Sequence, residues 1–287
     1  MALLFCTPSV FAWNAVGHRL IAQIAYNHLT RQEKAAFNRY NRVVDRGYMS
    51  KNMVNSAIWL DVIRYRTHHY DALHYIDIPF STDGTSLPPI QSDNALQAIE
   101  VASRALVNPA ETLLKKGTAL RILVHIVGDI HQPLHAATRV SCDYPQGDKG
   151  GNEVILRHNQ VAKNLHAYWD KGAGSLVGKR RYGQAWIKRR AIEIEKHWPC
   201  NREFSELKPM IWAQESYSLA VNQVYSIPHD HILNKHYQQV AKQIVERRIA
   251  LAGCRLSGLL SDLYDGRASD VITAPKNRVA SPPVTAL

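Results

Sequence analysis

The sequence predicts an all-α fold, a single mainly helical domain with one small β-hairpin, and three observations carry that expectation. Apolar residues recur at three- and four-residue spacing along most of the 287-residue chain. Helix-start signals, such as Thr30 with Glu33, stand ahead of several of these runs. His and Asp pairs stand four residues apart in otherwise apolar segments, the spacing that puts two side chains on one helix face.

From Trp13, WNAVGHRLIAQIAYNHL places Val16, Leu20, Ile21, Ile24 and Leu29 at helical spacing. Thr30 and Glu33 form a capping box for a second helix to about Val44, and a third is expected over 52–64, ending in IWLDVIRY. The segment 69–80, HYDALHYIDIPF, is too short and punctuated for a long helix and reads as extended chain or loop. Ser92 is expected to open a helix to about Leu106, and Asn108-Pro109 with Glu111 the next. That one leads through Gly117 into a central helix over 117–130. Pro and Gly mark a long loop over 142–160, with the hairpin-like patch around 152–163. Helices then fill roughly 181–198, 208–226 and 231–263, and a Ser/Pro/Ala-rich tail runs from about 266.

The chemistry concentrates in LVHIVGDIHQPLHA, residues 123–136. On a helix His125 and Asp129 lie one above the other, and Pro133 turns the chain so that His135 returns toward the same side. His166 and Asp170 in NLHAYWD repeat the pairing on a second segment. A lone histidine in an apolar helix is ordinarily a hydrogen-bonded core residue. Burying several such groups unpaired costs about 2–7 kcal/mol even for a neutral one, and a metal ion removes that cost. Imidazole and carboxylate without thiolate suit a divalent ion used for chemistry rather than a closed structural site. With His18, Asp61 and His74 the candidates number more than one ion takes, which points to a cluster. Clusters of divalent ions serve in-line displacement at phosphorus.

Residues 1–12, MALLFCTPSVFA, are uncharged and mainly apolar and end in Val10-Phe11-Ala12, a clipped secretory leader lacking its basic start. Later in the chain there is no apolar run of about 18 residues, so no membrane span is expected. Beyond the leader stand Cys142, Cys200 and Cys254; sequence leaves the pairing open, with Cys200–Cys254 preferred and Cys142 free in a loop. The net charge of +11, densest at Lys179, Arg180, Arg181, Lys188, Arg189 and Arg190, favours polyanionic partners, although a solvated helix face explains any one of these residues. There is no G-x-S-x-G and no Walker motif, and GAGSLVG at 172–178 is a poor nucleotide-binding fingerprint, which sets aside serine hydrolases and nucleotide folds.

Trp13 with His18 five residues on, WLDVIR, LHYIDIP, LVHIVGDIHQPLHA, GDKGGN and NLHAYWD resemble, in order, the motifs of the secreted zinc-dependent S1/P1 nuclease family. The resemblance spans about residues 13–170 and extends to a domain over 13–265. It implies a trinuclear zinc cluster: Asp61, His74, His125 and Asp129 on one ion; His18, a bridging Asp129 and the amino group and carbonyl of Trp13 on the second; His135, His166 and Asp170 on the third. It further implies single-stranded RNA and DNA and 3′-nucleotides as substrates, 5′-phosphate products, and secretion or a periplasmic location. Asp61, Arg64 and Asp129 would act at the scissile phosphate, with Tyr75 and Asp77, and less strongly Asn152, at the base. His131 lies in the motif but outside the ligand set, and is expected to support ligands by hydrogen bonding. The resemblance is to a bacterial-type secreted member, and the few cysteines imply that the full disulfide pattern of the eukaryotic ones is absent. Two rivals remain at this stage, a zinc-dependent phospholipase C and a zinc- or nucleic-acid-binding protein without turnover.

Overall fold

The computed structural model describes residues 13–178, 183–201 and 204–267. Residues 1–12, expected from sequence to be a leader, Lys179–Arg181 of the basic cluster and most of the C-terminal tail lie outside them. Among the described residues ten α-helices, α1 (Ala15–His28), α2 (Arg31–Arg42), α3 (Met53–Ser56), α4 (Trp59–Ile63), α5 (Ala95–Val107), α6 (Leu113–Asp129), α7 (Leu165–Asp170), α8 (Gln184–His197), α9 (Pro209–Leu219) and α10 (Lys235–Tyr264), accompany two short strands, β1 (Ile78–Ser81) and β2 (Ala137–Val140). The fold is mainly helical, as the apolar spacing predicts.

Helix α6 is the axis. Its C-terminal half, Leu123 to Asp129, is buried on every face, which a helix tolerates only when neighbours cover it all round. Helix α5 lies along one side and α2 along another, while α1 packs on α6, α8 and α10. Gly117 permits the α2 contact, since a Cβ there would stand 2.2 Å from the Tyr40 carbonyl oxygen. Buried Arg121 donates through Nε to Asn41 Oδ1 (2.7 Å), fixing the same pair of helices. A Cys200–Cys254 disulfide ties the end of α8 to α10, and Cys142 is free and exposed, the preferred arrangement.

Local signals set several boundaries. The Thr30/Glu33 capping box opens α2. Asn94, rather than Ser92, caps α5, its Oδ1 accepting from Leu96 and Gln97 backbone N–H. Thr112, rather than Asn108, caps α6, its hydroxyl accepting from Lys115 N–H (3.2 Å), while the Asn108 N–H closes α5 on the Arg104 carbonyl. The helix expected over 52–64 is two, α3 and α4. The break at Ala57-Ile58 turns the Ala57 carbonyl toward His125 Nδ1, at 2.7 Å, instead of toward the next turn.

The β structure differs from the expected hairpin. β1 and β2 pair in parallel, Ile78 opposite Ala137 through Ser81 opposite Val140, across a crossover that contains α5 and α6. Around 152–163 there is one antiparallel bridge, Ile155 with Asn164. The pairing is long-range, so its partners are invisible in either local stretch. Its consequence is positional, for it joins the chain after His74 to the chain after His135. Ile76 N–H donates to the His135 carbonyl (2.9 Å) and Ile78 N–H to that of Ala136 (3.0 Å).

Candidate metal centre

Eight side chains from separate segments meet under the C-terminal end of α6. His125 and Asp129, one turn apart on α6, are fully buried, with His125 Nε2 3.4 Å from Asp129 Oδ2. From α1, His18 Nε2 lies 3.3 Å from Asp129 Oδ1; from the 3-10 turn 71–74, His74 Nδ1 lies 2.9 Å from Asp129 Oδ2. The Asp129 carboxylate thus meets His18 at Oδ1 and both His74 and His125 at Oδ2. Asp61 of α4 brings Oδ1 to 3.5 Å from His125 Nε2. Beside this set, His166 Nε2 and His135 Nε2 lie 3.4 and 3.9 Å from the oxygens of Asp170.

The ligating atoms of these eight side chains fall into three metal-competent groups, each within 4.8 Å: His18, Asp61 and His125; His74, His125 and Asp129; His135, His166 and Asp170. Their hydrogen bonds test the fit. His125, His135 and His166 each donate Nδ1–H to a backbone carbonyl, that of Ala57 (2.7 Å), His74 (2.6 Å) and Gly150 (2.7 Å). A carbonyl only accepts, so in the neutral ring that a metal requires each Nε2 carries a lone pair facing the cluster. Among the described residues, both ring nitrogens of His18, Nε2 of His74 and His135, and one oxygen each of Asp61 and Asp129 are buried with no hydrogen-bond partner. Buried polar atoms are normally paired, and atoms of this donor set pointing at one another fit divalent metal ions. Burial, then the neighbouring imidazoles, holds His18 well below the ordinary histidine value, so it stays neutral and able to ligate. Trp13 is buried beside the cluster, its Nε1 donating to the Gly128 carbonyl (3.0 Å) while the next residue, Asn14, donates its N–H to the Asp170 carbonyl (2.9 Å).

The other sequence candidates divide. Arg64 Nε donates to Asp71 Oδ1 (2.9 Å), and its positive charge adds to the burial that disfavours protonation of His74 and His135. Tyr75 is half-buried within reach of the charges of Arg64 and Asp77. Asn152 donates its amide to the Lys149 carbonyl (2.7 Å), a turn-closing bond inside its own loop. His131 is buried and is no member of the metal-competent groups: Nδ1–H donates to the Val127 carbonyl (2.7 Å) and Nε2 accepts from Arg255 Nη1 (3.1 Å).

Burial, and then the charge of Asp148, pushes the Asp77 carboxyl up to about 8. A raised carboxyl stabilises the fold fully below the ordinary value of 3.8; the native state gives up that stability as pH climbs and has lost all of it above about 8. Asp77→Asn is therefore expected to melt above the parent at pH 8.5, with the gap closing toward pH 4. Asparagine tolerates the positive φ of 48° as aspartate does, so thermal melts across pH read the carboxyl alone.

Three supports escaped sequence reading. Gln132 Nε2 donates to Asp170 Oδ1 (2.7 Å) while its Oε1 accepts from Leu134 N–H (2.7 Å), fixing a ligand carboxylate from inside the central motif. Asp148, fully buried in GDKGGN, accepts from Gly151 N–H (2.9 Å), Arg139 N–H (3.1 Å) and Tyr225 Oη (2.8 Å), shaping the loop whose Gly150 carbonyl holds His166. From α10, Arg248 Nε donates to the His131 carbonyl (2.9 Å), and Arg248 and Arg255 share Glu215 of α9, clamping the turn between Asp129 and His135. Gln132 and Asp148 lie in quoted motifs and could have been singled out there. The α9–α10 clamp left no local signal.

A helical scaffold closed around buried imidazole and carboxylate groups in this geometry has the donor set of a divalent-metal site. The sequence comparisons place it further. The S1/P1 Nuclease family model matches residues 13–265, and the chain belongs to that family, whose members are endonucleases that hydrolyse phosphodiester bonds. The chain is 26% identical to Endonuclease 2 of Arabidopsis thaliana over 286 residues, covering 91% of this chain and 94% of that one. It is 24% identical to Nuclease S1 of Aspergillus oryzae over 286 residues (90% and 94%) and 25% identical to Nuclease P1 of Penicillium citrinum over 287 (88% and 98%).

Proposed function

We propose that the protein is a secreted zinc-dependent endonuclease that cuts single-stranded RNA and DNA to 5′-phosphate products and also acts on 3′-nucleotides. The observation that carries this reading is the Asp129 carboxylate held between His18 and His74, with unpartnered buried ligand atoms around it. Three zinc ions account for the donor set. One would be held by Asp61, His74, His125 and Asp129, a second by His18, Asp129 and the main chain of Trp13, and a third by His135, His166 and Asp170. An α-amino group at Trp13 becomes a ligand only once a leader ending at Ala12 is removed, so metal loading depends on processing. No described helix is long and apolar enough to cross a membrane, and the Cys200–Cys254 disulfide suits an oxidising compartment.

When bound, the ions supply Lewis acidity to the attacking and departing oxygens of an in-line displacement at phosphorus. This chain's residues do the rest. Asp61 and Asp129 hold their carboxylates toward the reacting centre, and the Arg64 guanidinium offsets charge that develops on the phosphate in the transition state. Tyr75 stacks on the base beside that phosphate, while Asp77, protonated at neutral pH, donates a hydrogen bond to the base edge. Asn152 is a weaker partner there, since its amide already serves the Lys149 carbonyl. A stacked, edge-read base has to leave its duplex, hence the preference for single strands.

The test uses protein processed to begin at Trp13, loaded with zinc and incubated with single-stranded RNA, single-stranded DNA and a phosphatidylcholine emulsion. Cleavage of both nucleic acids to 5′-phosphate ends is the expected result. Phosphocholine release with intact nucleic acid would replace the reading by a phospholipase C. Three zinc ions bound with no turnover on any substrate would leave a binding protein.

A further inference from the structure

A further set of metal-ligating atoms lies at the other end of α1 from His18, about 15 Å along the helix. His28 Nε2, a Glu195 carboxylate oxygen and Cys200 Sγ all stand within 4.8 Å of one another. Three helices bring them together. His28 ends α1, and its Nε2 meets Glu195 Oε1 at 2.6 Å, while Asn27 Nδ2 donates to Glu195 Oε2 (2.8 Å). Glu195 lies near the end of α8. That helix closes with Trp198 N–H on the Ile194 carbonyl (2.9 Å), and Pro199 cannot prolong it, so the chain turns and Cys200 comes back beside the glutamate. From the third side, Gly253 lets α10 approach α1 closely: a Cβ there would stand 2.6 Å from Ile24 Cβ, one turn before His28. Cys254 follows Gly253 and is bonded to Cys200. His28 is exposed and Glu195 and Cys200 are partly buried, which leaves an ion a path from solvent.

In a disulfide the sulfur is neutral and a poor ligand, because metals bind the thiolate. Reduction changes the donor set. The S–S bond takes two electrons and two protons from a dithiol, which leaves as a disulfide, and two thiols result. On coordination each thiol gives its proton to water, and the exposed His28 ring moves its proton to Nδ1, freeing Nε2. Two thiolates, an imidazole and a carboxylate make a four-coordinate set for zinc. We propose that the reduced chain carries a divalent-metal site at His28, Glu195, Cys200 and Cys254, and that the Cys200–Cys254 disulfide is its masked form. The ion takes over the tie between α8 and α10 and adds α1 to it, so that the reduced chain keeps a cross-link at the same place.

The experiment reduces the zinc-loaded protein with a sulfur-free phosphine, removes the excess without air and adds cobalt(II). None of the ligands assigned to the centre around Asp129 is a sulfur, so a sulfur-to-cobalt charge-transfer band in the near ultraviolet reads the site at Cys200 alone. The band is expected in the reduced parent and in reduced Cys142→Ser, and is expected to be missing from the oxidised parent. In reduced His28→Ala and reduced Glu195→Gln its midpoint is expected at cobalt concentrations at least about tenfold higher, since even a supporting hydrogen bond to a ligand is worth that much. Equal midpoints in the parent and both variants would assign the metal to the cysteine pair alone and overturn the site, as would a reduced parent without the band. Circular dichroism accompanies each titration. Loss of the helical signal on reduction would overturn the site too, because its four ligands meet only while α1, α8 and α10 stay packed. Cleavage by the oxidised parent is measured separately, so failure here leaves the nuclease reading standing.

Discussion

Asp129→Asn is expected to lower kcat/KM on single-stranded DNA by about 10³-fold or more, because Lewis-acid stabilisation worth several kcal/mol is lost at about 1.4 kcal/mol per factor of ten. Each oxygen of this carboxylate faces a histidine from a different element, His18 of α1 and His74 of the 71–74 turn, so the carboxylate reaches both halves of the centre. An amide keeps the shape but replaces one anionic oxygen with a donor. Zinc content by elemental analysis is expected to fall with activity. Circular dichroism should match the parent, since Asn is isosteric and the surrounding packing is unaltered. Full zinc content with lost turnover would assign Asp129 to substrate chemistry alone; full activity would remove it from the site.

Gly150→Ala is expected to be the most damaging single-methyl change. Gly150 has φ +61°, and a Cβ would stand 2.3 Å from the Leu134 carbonyl oxygen, a backbone atom with no rotamer to yield. The left-handed conformation costs a non-glycine residue about 1–2 kcal/mol and overpacking about 1–3 more. A loss near 2–5 kcal/mol follows, readable as a denaturation midpoint shifted at constant slope. The damage reaches function because the Gly150 carbonyl accepts from His166 Nδ1, at 2.7 Å. When the carbonyl moves, the ring loses its orientation, and metal affinity at the His135, His166 and Asp170 group is expected to fall about 10- to 100-fold, the usual cost of losing a ligand's supporting hydrogen bond. Zinc titration separates that effect from global destabilisation, and Gly183→Ala, where nothing lies within 4 Å of the added Cβ, is the control.

What the sequence determined by itself was chemistry and local form. The i, i+4 pairs His125/Asp129 and His166/Asp170 are helix geometry, legible from spacing alone, and the Thr30/Glu33 box opens α2 where the pattern puts it. His131 could be set apart from the ligands only through the family resemblance; its two hydrogen bonds give the physical reason, both ring nitrogens being committed within the protein. What only the tertiary structure decided was everything that depends on partners far apart in the chain. The break between α3 and α4 looks like one continuous apolar run in sequence, and it exists because the Ala57 carbonyl is turned to a histidine 68 residues away. The expected hairpin gave way to a parallel pair because β1 and β2 meet across α5 and α6, and that pairing carries His74 and His135 into one site. Glu215, Arg248 and Arg255 gave no signal because a buried ionic clamp has no period, only a geometry that closes once α9 and α10 are packed. Spacing along one helix is a short-range property of the backbone, whereas a hydrogen bond between distant segments is defined only after the chain has folded around it.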